Sequence, residues 1–117
     1  MASAVPRPGE APDEAVQILA HLTQHRQVRG CVTLTTDGRV LWSGGAAFVA
    51  GEGEATDALE RVVQFVRDML DVVTRHVDEV EADDELSLLR VRTKKYELLV
   101  TPSQKYVLVV MQEPGSG

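Results

Sequence analysis

The sequence is 117 residues long, 44% apolar and 26% charged, with 12 Lys and Arg against 18 Asp and Glu for a net charge of -6. A chain of this length folds as one domain without metal or disulfide staples, and its composition excludes a collagen-like or disordered polymer. The acidic balance argues against non-specific nucleic-acid binding, and the short apolar runs fall far below the ~20 residues of a membrane span.

The first 12 residues are small, contain Pro and Gly and lack periodicity, so they read as a mobile tail. No basic stretch followed by an apolar one opens the chain, so no secretion signal is expected. A first helix is expected from Pro12 or Asp13 to about Arg26, because Ala15, Ile18, Leu19 and Leu22 fall on one stripe. Asp13 and Glu14 suit the positive end of its dipole. Gly30 then resets the chain for a strand. Cys31 to Thr35 and Val40 to Ser43 are β-branched or apolar runs around Asp37-Gly38, a pair that tolerates the positive φ angles of a tight primed turn. They predict a β-hairpin. The Gly- and Ala-rich stretch after it, from Gly44 to Gly53, reads as a loop.

The strongest element is a helix from about Thr56 to Val80. Its apolar residues cover roughly half the circumference, where a helix on one sheet needs a stripe little over ~100° wide. The surplus predicts a second subunit against Val62, Phe65, Val66, Met69 and Val73. After the acidic stretch from Asp78 to Glu85 come three strand-like runs, Leu86 to Arg92, Tyr96 to Thr101 and Tyr106 to Gln112. Strands on both sides of one long helix predict an α+β fold rather than repeated βαβ units. A helix of ~37 Å can carry the chain from one edge of a five-stranded sheet, ~24 Å across, to the other.

Little in the sequence supports catalysis. Gly44-Gly45 and Gly51-Glu52-Gly53 lack the Lys-Ser/Thr pair of a phosphate loop and the full dinucleotide fingerprint. His21 and His25 share a helix face but have no further ligand in a recognisable pattern, so they read as solvated, and no metal or cofactor is expected. A single cysteine, Cys31, reads as a buried structural thiol in a reducing cytosolic compartment. Arg90, Arg92, Lys94, Lys95 and Lys105 are concentrated in one strand-turn region, either as solvated faces or as a docking surface for an acidic partner.

The stretch from Glu85 to Pro114 closely resembles the roadblock family of dynein light chains. The resemblance lies in Leu89-Arg90-Val91-Arg92-Thr93-Lys94-Lys95, Glu97, Pro102, Tyr106 and Gln112-Glu113-Pro114, with upstream support from Val28-Arg29-Gly30 and Asp37-Gly38. It implies an α-β-β-α-β-β-β roadblock domain, profilin-like in its sheet, over residues 13–113, with 114–117 as a short C-terminal tail. It also implies dimerisation, with the second strands (Val40, Leu41, Trp42) joined into one continuous sheet and the long helices side by side. The partner so implied is a dynein intermediate chain, with a second roadblock chain, identical or different, completing the dimer. The chain would then be a non-catalytic subunit of a microtubule motor, in the cytoplasm and cytoskeleton or in the axoneme of a cilium or flagellum. Neither nucleic acid nor membrane enters this reading. Arg90, Arg92, Lys94 and Lys95 are its candidate docking residues. Related roadblock domains act as scaffolds for small GTPases, which is the alternative. The long loop from Gly44 to Gly53, the extended N-terminal tail and Trp42 depart from the family pattern and point to a specialised paralogue.

Overall fold

A computed structural model describes residues 25–48 and 54–114 of the chain. The expected first helix, the N-terminal tail and the second glycine pair therefore lie outside the described residues. Five strands, β1 (Val28–Thr35), β2 (Val40–Gly44), β3 (Leu89–Arg92), β4 (Glu97–Pro102) and β5 (Tyr106–Gln112), form one antiparallel sheet in the order β2-β1-β5-β4-β3. The long helix, Glu54–Val80, links β2 to β3, which are opposite edges of that sheet. This is the roadblock architecture expected from the sequence.

Tight turns set the strand ends. Between β1 and β2, Gly38 N–H donates to Thr35 O at 2.9 Å, and Gly38 alone in the turn has a positive φ, of 95°. A primed turn needs a positive φ at one of its two central residues or at both, and here Thr36 and Asp37 keep ordinary backbone angles. The turn is thus an ordinary one relieved by a left-handed glycine, not the primed form expected. The Thr35 hydroxyl contacts the Asp37 carboxylate and accepts from Arg39 N–H, tying the loop to its own strand. Thr93 and Ser103 act alike in the other two turns, their hydroxyls accepting from Tyr96 and Tyr106 N–H.

Two strand boundaries differ from expectation. β1 begins at Val28 rather than Cys31, so Gly30 lies inside a strand, where Phe48 covers it. β3 begins at Leu89 rather than Leu86. Continued upstream, its ladder would set Ser87 opposite Pro102, which has no N–H to donate.

One sheet face carries the core. Val32, Leu34, Leu98, Val100, Val107 and Val109 pack there with Phe48 and Val66, while Leu59, Val62, Phe65 and Leu70 cover them in part. The expected shapeless loop after β2 contains a short 3-10 turn, Ala46–Phe48, whose Phe48 is 1% exposed. The opposite sheet face holds a smaller cluster of Cys31 and Val110, flanked by Trp42, Leu99 and Leu108.

Candidate functional site

The long helix presents its residues to the sheet unevenly. Val66 points straight into the core and is 1% exposed, so this expected interface residue is buried within its own subunit. On one side of Val66, Gln64, Arg67, Asp68, Asp71 and Thr74 border a cleft of about 600 Å³ facing the β1–β2 turn. That flank is polar. On the other side, Ala58, Arg61, Val62 and Phe65 face Tyr96, Leu98 and Met111, at the end where β3 turns into β4. Further along the same flank, Val72, Val73, His76, Val77 and Val80 line a shallow groove closed by Asp84. Here Val72 is 40% and Val80 86% exposed, and Val62, Phe65, Met69 and Val73 are only half-buried. The apolar surplus legible in the sequence is therefore a flank that the described residues leave partly exposed, beside Tyr96, Leu98 and Met111.

Val40, Leu41 and Trp42 lie on β2, the other edge of the sheet. The structure does not bring them together with Val62, Phe65, Met69 and Val73, so the expected interface residues form two separate surfaces. Leu41 is left out of the β1–β2 register, in which Thr33 faces Trp42 and Leu34 faces Val40. Trp42 lies over Gly44, where an added Cβ would come 2.7 Å from the ring.

The four candidate docking residues also divide. Arg90 and Arg92 extend from the sheet face opposite the helix. Arg90 Nε donates to Glu97 Oε2 at 2.5 Å, and Arg92 Nε lies 3.5 Å from the same oxygen. Gln112 donates to the other carboxylate oxygen at 3.1 Å. Glu97 is 1% exposed. The Arg90 hydrogen bond, then that of Gln112, holds its carboxyl down at about 2. Sequence reading carried Glu97 only as a motif position and gave it no role; its cross-strand partners on β3 and β5 supply one. Lys94 and Lys95 stand exposed in the β3–β4 turn. Nearby, Arg29 and Glu113 pair at 2.6 Å, which lowers the Glu113 carboxyl and raises the Arg29 guanidinium.

For chemistry the surface offers little. Among the described residues, no group of three His, Cys, Asp or Glu stands close enough to hold a metal ion. Burial pushes the Cys31 thiol up to about 11, away from nucleophilic use.

A family model for the Roadblock/LC7 domain matches residues 14–113. The chain belongs to the Roadblock/LC7 domain family. Solved structures agree on the fold of this roadblock domain. A Roadblock/LC7 domain from Streptomyces avermitilis superposes with a TM-score of 0.64 at 15% identity, over 83% of this chain and 76% of that one. Myxococcus xanthus MglB gives 0.63 at 16%, over 92% and 79%. The gliding protein MglB of Thermus thermophilus gives 0.60 at 16%, over 94% and 77%. These relatives are bacterial proteins and none of the three is a dynein subunit, so the dynein light-chain expectation holds only as far as the roadblock domain itself.

Proposed function

We propose that this roadblock domain is a non-catalytic interaction subunit that dimerises and serves as a scaffold for a small GTPase. The observation that carries this reading is the apolar flank of the long helix, which the described residues leave partly exposed. Fully burying a Val, Phe or Met side chain contributes ~1.5–3 kcal/mol, and these half-buried residues have part of that left to gain. Association costs ~4–15 kcal/mol, so the flank benefits from a second contribution. The β3 edge supplies one, because its unpaired backbone groups are satisfied by a second strand. On this reading the subunit contact lies at β3 rather than at Val40 to Trp42.

Two partner classes follow from the family resemblance, a small GTPase and a dynein intermediate chain. The solved relatives named above are bacterial proteins, among them a gliding protein, and not subunits of a dynein motor, which favours the GTPase. The test is capture of partners on the immobilised chain from native extract, with GDP or a non-hydrolysable GTP analogue added. Nucleotide-dependent recovery of a small GTPase supports the scaffold. Recovery of a dynein intermediate chain with its heavy chains, indifferent to nucleotide, overturns it in favour of the light-chain reading.

A further inference from the structure

The five basic residues that follow the long helix do not form one patch. Arg90 and Arg92 lie against Glu97, and Lys94 and Lys95 stand in the β3–β4 turn. Lys105 lies in the β4–β5 turn, at the opposite end of the sheet, where the β1–β2 turn brings Arg39 near it. Between them is a cleft of about 360 Å³. Thr35 and Tyr106 face each other in it, and alternation along β1 and β5 puts both on the sheet face away from the helix.

Both cations stand on fixed backbone. Arg39 N–H donates to the Thr35 hydroxyl at 2.9 Å, and Thr35 N–H donates to Arg39 O at 2.8 Å. In the other turn, Ser103 N–H donates to Tyr106 O at 2.9 Å, and Tyr106 N–H donates to the Ser103 hydroxyl at 3.2 Å. Arg39 and Lys105 are exposed, and neither has a carboxylate partner among the described residues, unlike Arg29, Arg75, Arg90 and Arg92. No acid lines the cleft. Asp37, Asp84 and Glu85 border clefts on the helix side instead. Asp37 attracts Arg39 only at a distance, its own contact being the Thr35 hydroxyl. An apolar side chain completes the site. Thr33 faces Trp42 and Leu34 faces Val40, so a bulge drops Leu41 from the ladder and leaves it lining the cleft.

We infer that this cleft holds a short acidic segment of a partner protein, with carboxylates on Arg39 and Lys105 and an apolar side chain on Leu41. Charge complementarity selects that occupant, because the cleft is cationic on a chain whose net charge is -6. A nucleic acid would run past the two cations onto acidic surface, whereas a short segment stays within the cleft. The cleft lies away from the apolar flank of the long helix, so the inference goes beyond the dimer and does not depend on it.

The experiment is amide NMR of the isotope-labelled full chain, titrated with a short peptide of alternating Glu and Leu. The same peptide with Gln for Glu and a single-stranded oligonucleotide are the controls. Salt-sensitive shifts are expected at Thr35, Arg39, Leu41, Lys105 and Tyr106, with far weaker binding of the Gln peptide. Arg39→Gln and Lys105→Gln should each weaken binding by up to about fivefold, as an exposed ion pair allows, and the double variant by more. Both positions are exposed, so the spectrum of each free variant should otherwise match wild type. No shifts at millimolar peptide, shifts centred on Lys94 and Lys95 or on the helix flank, or a double variant that binds undiminished overturns the inference. Equal binding of the Gln peptide does the same. Tighter binding of the oligonucleotide at these amides makes the occupant a nucleic acid, and weaker self-association of the peptide-free variants makes it a second copy; either overturns the acidic segment. None of these results touches the GTPase reading, which is decided by nucleotide-dependent capture.

Discussion

Arg90 on β3 and Glu97 on β4 form a hydrogen-bonded ion pair at 2.5 Å in which the carboxylate is sealed off and the guanidinium is not. Glu97 ordinarily titrates near 4.5 and is held at about 2 in the fold. A depressed carboxyl contributes stability above its unfolded value and loses it as pH falls through its folded one. Stability should therefore decline between about 4.5 and about 2, read as the urea midpoint across that range. Glu97→Gln should flatten the decline and lower the melting temperature at neutral pH, since Arg90 and Arg92 lose their shared anion. An unchanged acid profile in the variant would place the acid sensitivity elsewhere.

Phe48 closes over Gly30, where an added Cβ would lie 2.5 Å from the Phe48 ring. Gly30→Ala forces the ring aside, an overpacking effect of ~1–3 kcal/mol. Phe48→Ala leaves a void in the core and should cost ~3–5 kcal/mol. Urea unfolding of the two single variants and their double measures this. The double variant should be less destabilised than the sum, because the methyl then enters space that the ring has left.

How far the fold was legible follows from the range of the signal. The long helix and the hairpin were legible because their apolar periods and the Asp37-Gly38 pair are local. Phe48 was not, because it stands alone among Gly and Ala with no period to assign it. The burial of Glu97 needs Arg90 from the neighbouring strand and Gln112 from the next, neither of them near in sequence. Likewise, the helix announced a surplus apolar face but not its direction. That direction depends on how the helix lies on the sheet, which sets Tyr96, Leu98 and Met111 beside Phe65.

Val66 and Met69 are one turn apart, yet opposite outcomes are expected of them. Val66 is enclosed by its own sheet, so Val66→Glu buries an unpaired carboxylate and should prevent folding. Met69 is half-buried at the centre of the uncovered flank. Met69→Glu should keep the native circular dichroism spectrum and a cooperative melt while abolishing self-association in sedimentation. A folded, fully dimeric Met69→Glu chain would exclude this flank as the interface.

Cys31 is fully buried on the sheet face away from the helix, and its thiol is raised from 9.0 to about 11. At pH 8 that shift alone makes its thiolate about a hundredfold scarcer than in the unfolded chain. A disulfide reagent should label the native protein slowly and the urea-unfolded protein within seconds. The raised thiol also contributes stability below its unfolded value and loses it as pH rises through 9.0 toward about 11. Cys31→Ala should remove that alkaline dependence, at the cost of a small cavity beside Val110 and lower stability at neutral pH. Rapid native labelling would instead show that this sheet face opens readily, which the burial of Cys31 and Val110 argues against.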